Sequence, residues 1–330
     1  MAIDKGKTMG SYATYIGKRI ILSIVIVFAI SVFAFFIIQL IPGDPVRVML
    51  GSEADEVAVQ QTRAMLNLDK PLIIQYWLWM KGALWGDFGS SLILNTDIGE
   101  MIARRLPVTL SITVPALVFA TVLGIIIGVV SATQRGSVVD QVLTAIVTTL
   151  NGVPVFWIGI MMMYLFGVVL KWLPLMGYTS PFDDFGKYIA KAAMPVTIIA
   201  LQPLTTIARH VRTNMLEVIN QDYIRTAKAN GLSESKIKYK YALKNVLIPI
   251  VTLMALHVRS VAGGSLLAEV VFSIAGMGRL IMLSVLNKDY LVVQATIFVI
   301  SIIVVFSNLL LDISYGWIDP RIRLSTGKGK

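Results

Sequence analysis

Cysteine is missing from the 330-residue chain, which excludes disulfides, thiolate metal sites and a cysteine nucleophile. Histidine is almost missing. His210 and His257 are the two present, and they form no HExxH-type zinc pair. Charge is sparse: 15% of residues carry it, with 29 Lys and Arg against 19 Asp and Glu. On a soluble protein a net charge of +10 would point to nucleic acid. Here the basic residues sit in loops between apolar blocks, as in the cytoplasmic loops of membrane proteins, so no nucleic-acid partner is expected. A nucleotide-binding loop is also missing. Gly6-Lys7-Thr8 ends like one, but Met1 stands where the first glycine belongs, and no strand precedes it. Neither a Ser–His–Asp set nor paired carboxylates fall at membrane depth, so the chain is expected to be non-catalytic. It also lacks a pore-lining repeat or selectivity ring, which argues against an ion channel. Met161-Met162-Met163 invites a metal reading, but consecutive helical residues point in different directions. They read as helix filling, and no metal site is expected.

What is abundant is apolar. Hydrophobic residues make up 56% of the chain and its mean hydropathy is +0.76, against 45–50% apolar for a typical soluble domain. The excess comes in blocks, several of them near the roughly 20 residues that cross a bilayer. The pattern predicts an all-α polytopic membrane protein, a single transmembrane domain over residues 1–330. Its six spans fall near 20–41, 108–133, 141–170, 192–209, 246–271 and 291–311. The third is interrupted at Gly152-Val153-Pro154, a break tolerable only where protein or a wet cavity covers the freed backbone groups. Lys5, Lys7, Lys18 and Arg19 precede the first span and place the N-terminus in the cytoplasm. The first apolar run is too long for a signal peptide and reads as an uncleaved span. Residues 42–107, with six basic and eight acidic side chains, are expected outside, with Tyr76–Trp85 at the outer membrane interface. Residues 209–245 hold eight basic and three acidic side chains, the strongest inside signal in the chain. Six spans with both termini cytoplasmic satisfy the charge rule at every loop.

The most informative stretch lies within that inside segment, 210–245. Residues Asp222 to Leu232 read DYIRTAKANGL, and a lysine-rich run leads on to Leu247-Ile248-Pro249. Tyr223, Ile224 and Ala227 give a small apolar stripe. Asn230-Gly231 is a helix stop, because glycine accepts the left-handed conformation of a C-cap. Ser233 fits an N-cap with Glu234 in the first turn, and Ile237 and Tyr241 are expected to share the next helical face. By pattern alone, two short helices of this kind could rest on anionic lipid headgroups or receive a soluble partner.

The stretch resembles the EAA coupling motif of bacterial ABC-importer permeases. Ala227, Gly231, Ile237 and Ile248-Pro249 fill matching positions. The longer match resembles the dipeptide/oligopeptide/nickel permease family. Other stretches match in the same order: Ile41 to Pro45, Leu68 to Leu72, Gly86 to Ser91, Leu106 to Leu110, Glu269 to Phe272 with Gly276-Met277-Gly278, and Asp312 to Tyr315 with Asp319-Pro320-Arg321. Ala275 departs from the pattern, standing where the family usually has proline.

The resemblance implies a type I ABC importer permease fold, with Asp222, Tyr223, Arg225, Ala227, Gly231, Leu232 and Ile237 coupling the chain to an ATPase. It implies a second homologous permease, two ABC ATPases that carry ATP and Mg, and an extracytoplasmic binding protein. The chain itself would hold no cofactor. Peptides are the expected cargo, with oligosaccharides or nickel chelates as the alternatives within the same family.

Candidates for the pathway follow from polarity at membrane depth. Arg259 lies about 15 Å along a helix from Pro249, near the midplane, where a cation is costly and should face a cavity or a partner. It could contact an anionic group of the cargo or hold a structural ion pair. His257 points about 200° away from it. Gly263-Gly264 suits close helix packing or a pathway wall. Asn151 and Gln202 sit near prolines, where they could line a polar path or satisfy freed backbone groups.

Overall fold

The computed structural model describes residues 5–39, 46–47, 51, 54–65, 67–91 and 93–318. Within helices, the side chains at 5–13, 37–39, 247–249, 251–252, 255, 259–264 and 314–318 lie outside that description. So do Gly43-Asp44-Pro45 and Asp319-Pro320-Arg321, which carry part of the resemblance. Twelve α-helices, two π-helices and one two-stranded hairpin follow in order among the described residues. They are α1 Lys5–Gln39, α2 Glu56–Met65, α3 Leu72–Leu84, β1 Ser90–Ser91, β2 Thr96–Asp97 and α4 Ile98–Thr133. Next come α5 Val138–Gly152, α6 Val155–Met162 with a π-helical continuation Met163–Val169, and α7 Phe185–Ile219. α8 Asp222–Ala229 and α9 Glu234–Lys236 lead through a π-helix, Ile237–Ala242, into α10 Leu243–Val271. α11 Met277–Leu286 and α12 Tyr290–Ile318 complete the order.

Among the described residues, four helices are long and apolar enough to cross a membrane: residues 14–36, 98–133, 185–219 and 290–313. The six expected spans are therefore not all recovered. The third breaks between Gly152 and Val155, as the Val153-Pro154 sequence suggests, and its two halves differ in direction by 106°. It makes a fifth crossing only if the bent pair is one span. The expected span at 246–271 lies within helical α10, which includes side chains outside the described residues. Two boundaries also shift. α4 begins at Ile98, ten residues ahead of the expected start, because the helix runs on through Arg104, Arg105 and Pro107. α7 extends from Phe185 to Ile219, well past 192–209, carrying Lys187 and Lys191 at one end and Arg212 at the other. Hydropathy marks where a helix is apolar, and charged turns can extend it on either side.

The chain falls into two compact units, residues 1–20, 110–274 and 307–330, and residues 21–109 and 275–306. In the second unit, Ala34 and Phe35 of α1 pack with Tyr76, Met80 and Ala83 of α3 and Phe298 of α12. The Ser31 and Tyr76 hydroxyls meet at 2.8 Å. The stretch Tyr76–Trp85 is thus partly core: Tyr76 is buried, while Trp77 and Trp85 are exposed. A second cluster joins Ile98, Met101 and Ile102 of α4 with Met277 and Leu280 of α11 and Val292 and Ala295 of α12. Buried Asp289 accepts a hydrogen bond from Ser91 of the hairpin.

In the first unit α7 is the central element, packed by α5, α6 and α10. α4 approaches it through Gly124 and Gly128, a G-x-x-x-G pair. A Cβ on Gly128 would lie 2.5 Å from the Val211 Cβ and 2.6 Å from the Ala208 carbonyl oxygen, so the two backbones pack closer than any side chain permits.

Candidate functional site

The segment from Asp222 to Ala242 is built as an anchored surface. Ile224 and Ala227 of α8, and Ile237 and Ala242 of the π-helix, are buried. They join Val129 and Ala132 of α4, Ile207, Val211 and Met215 of α7, and Val246 and Ile250 of α10 in one apolar cluster. Leu232 is partly buried against it. Asp222, Tyr223 and Arg225 face outward. The seven expected coupling residues therefore divide. Ala227, Leu232 and Ile237 hold the segment down, Asp222, Tyr223 and Arg225 present a surface, and Gly231 sets the angle between the helices.

Gly231 has φ +76°, the left-handed conformation its sequence position suggests. The Leu232 N–H donates to the Ala227 carbonyl at 3.2 Å and the Gly231 N–H to the Lys228 carbonyl at 3.0 Å. This pair of bonds is a Schellman motif, which satisfies carbonyls that α8 would otherwise leave open. Across the turn, Glu234 pairs with Lys238 at 3.0 Å and with Lys228 at 3.7 Å. The hydrogen bond from Lys238 holds the Glu234 carboxyl below its usual range. Tyr223 Oη accepts a hydrogen bond from Asn245 Nδ2 at 2.8 Å, tying α8 to the start of α10.

Two expectations for this segment are corrected. Ser233 occupies the N-cap position of α9 with extended backbone, but its side chain makes no capping bond. Ile237 is buried and Tyr241 is exposed, so the two do not form one buried face. The stretch is a π-helix, Ile237–Ala242, and its buried residues are Ile237 and Ala242. A reading based on 3.6 residues per turn has no means of seeing this.

The pathway candidates are less concentrated. His257 on α10 is 8% exposed, and its Nε2 has no hydrogen-bond partner among the described residues. Asn151 at the end of α5 accepts a hydrogen bond from the Thr205 hydroxyl of α7 at 3.2 Å, while Gln202, on the same helix as Thr205, is exposed. Arg259, Gly263 and Gly264 fall on helical α10, with their side chains outside the described residues.

One constellation escaped the sequence reading. Asp140 of α5 is buried and accepts two hydrogen bonds from Arg212 of α7, from Nε and Nη2, both at 2.9 Å. It also accepts from Ser131 of α4, from the Gly136 backbone N–H at 3.0 Å and from Thr144 at 3.3 Å. By sequence Arg212 counts only among the eight basic residues of 209–245, and Asp140 falls between the second and third expected spans. The available signal was a lone acid opening an apolar helix three residues after Ser137, the spacing of a capping box.

Comparison with known proteins gives the family. Residues 120–324 match the family model of the binding-protein-dependent transport system inner membrane component, and residues 12–113 match that of the N-terminal part of such components. The probable peptide ABC transporter permease protein y4tP of Sinorhizobium fredii is 35% identical, over 94% of this chain and 99% of its own. The dipeptide transport system permease protein DppB of Alkalihalophilus pseudofirmus is 35% identical with the same coverage. The glutathione transport system permease protein GsiC of Escherichia coli K12 is 35% identical over 94% of this chain and 98% of its own. Among solved structures, the inward-facing MetNI methionine ABC transporter matches with TM-scores of 0.52 and 0.55 in two crystal forms. Each covers 66% of this chain and 96% of the matched one at 19% identity, a likeness of fold. The chain belongs to the family of binding-protein-dependent transport system inner membrane components.

Proposed function

We propose that this chain is the transmembrane permease subunit of an ATP-driven ABC importer that takes up peptides. The observation that carries the reading is the anchored segment Asp222–Ala242, whose buried side touches α4, α7 and α10 at once. A partner pressing on its outer side therefore acts on three long helices together. The names of the relatives, which speak of peptide, dipeptide and glutathione transport, support a peptide cargo. In this reading the chain crosses the inner membrane six times with both ends in the cytoplasm. It pairs with a second, homologous permease. Two ATPases, which hold ATP and Mg, dock on Asp222, Tyr223 and Arg225, and a binding protein delivers cargo from outside. Asn151, Gln202, His257, Arg259, Gly263 and Gly264 are its pathway candidates, Arg259 by sequence depth alone.

The test is uptake from a defined mixture of peptides, oligosaccharides and nickel, in cells with and without the gene. Selective loss of peptide uptake is expected. Loss of sugar or nickel uptake instead would keep the permease and overturn the cargo, and unchanged uptake of all three would overturn import of these solutes altogether.

A further inference from the structure

The apolar cluster beneath α8 draws on α4, α7 and α10 but takes no buried residue from α5 (Val138–Gly152). α5 is joined to α7 by polar links near its two ends. Near its start, the Asp140 carboxylate takes two parallel bonds from Arg212, a geometry that fixes orientation as well as distance. Ser131 and the Gly136 N–H complete the carboxylate's shell, so the end of α4, the following turn, α5 and α7 meet at one buried group. Near its other end, about three helical turns on, Asn151 accepts from Thr205 of α7 at 3.2 Å. Just beyond Asn151 the chain breaks at Val153-Pro154, and the next helical stretch departs at 106°.

A helix tied at both ends to its neighbour moves with it. An open groove of about 500 Å³ lies at the ion pair, lined also by Gln141, Thr144, Ala145, Thr148 and Thr149. Once untied, α5 has room to swing. We infer that Asp140 and Arg212 are positioning residues of the transport cycle, locking α5 to α7 so that displacement of the α8 segment reaches the break at Val153-Pro154. This inference rests on the permease reading above.

The experiment uses the complete transporter, both permeases with ATPases and binding protein, reconstituted in liposomes. Peptide imported and ATP hydrolysed are measured together. The fully assembled Asp140→Asn complex is expected to keep hydrolysing ATP while peptide imported per ATP falls about tenfold, within the usual range of coupling between sites. Exchanging the charges (Asp140→Arg with Arg212→Asp) restores part of the ratio. A merely structural brace would change the amount of complex and leave the ratio alone. Spin labels at Val138→Cys and Glu217→Cys, in a chain without other cysteines, give a second readout. Their distance should be narrow and unaffected by ATP in the otherwise unaltered chain, and broad in the Asp140→Asn background. If that variant does not accumulate, Thr205→Val cuts the uncharged link and is read by the same two measurements. An unchanged ratio with an unchanged narrow distance overturns the inference. If the unaltered complex imports no peptide under ATP, the permease reading fails, and the spin-label distances alone still decide the lock.

Discussion

At Gly231 the chain needs a backbone angle more than it needs space. Its φ is +76°, and a Cβ built there would meet no atom within 4 Å. Left-handed backbone costs an L residue about 1–2 kcal/mol, less for asparagine, whose short amide can bond locally. Substitutions should therefore rank by tolerance of that angle and not by size. Peptide uptake is expected to fall in the order Gly, Asn, Ala, Val at position 231, with the permease inserted in normal amounts throughout. Equal uptake by the Asn and Val variants would show that the turn does not set coupling. This residue was legible because glycine after asparagine at the end of a short stripe has few other uses. The π-helix at Ile237–Ala242 was missed because it leaves no trace in hydrophobic periodicity. Asp140 and Arg212 were missed because a partner across 72 positions is invisible to local pattern.

At the scale of elements, the apolar runs and the break at Val153-Pro154 could be read from composition, while the contacts between helices could not. Gly124 and Gly128 show the difference. The G-x-x-x-G spacing was there to be seen inside an apolar helix, but only the fold shows that α7 is what it meets. The two glycines differ in what a methyl would strike. At Gly124 it would lie 2.9 Å from Ile207 side-chain atoms and 3.1 Å from the Leu204 carbonyl oxygen. At Gly128 it meets Val211 at 2.5 Å and the Ala208 carbonyl oxygen at 2.6 Å. A backbone oxygen yields only if the helix itself shifts. Gly128→Ala is therefore expected to cost about 1–3 kcal/mol as an overpacked site, and Gly124→Ala less. Thermal midpoints of the purified permease in detergent check the ranking. Adding Val211→Ala to Gly128→Ala should recover part of the loss, since it clears the side chain and leaves the carbonyl. Full recovery would mean that the backbone approach is not limiting.

At the scale of the whole molecule, membership of the binding-protein-dependent transport family implies ATPase and binding-protein partners, and the outer face of α8 is the place proposed for the ATPase contact. Arg225 separates docking from folding. Its side chain is 75% exposed and pairs only loosely with Asp222, at 3.6 Å. Exposed substitutions of this kind change stability by about half a kcal/mol or less. Ala227, about 200° around α8 from Arg225, is 7% exposed within the apolar cluster. Burying an unpaired carboxylate there would disrupt the segment itself. Arg225→Glu should therefore leave the permease folded, with its thermal midpoint unchanged, while the ATPases co-purify with it poorly and hydrolysis is no longer stimulated by binding protein. Ala227→Asp should lower the thermal midpoint and lose the ATPases together. Normal ATPase recovery with Arg225→Glu would remove α8's outer face from the docking surface. A common loss of stability in both variants would mean that the outward face is as structural as the inward one, and that the force enters the membrane helices elsewhere.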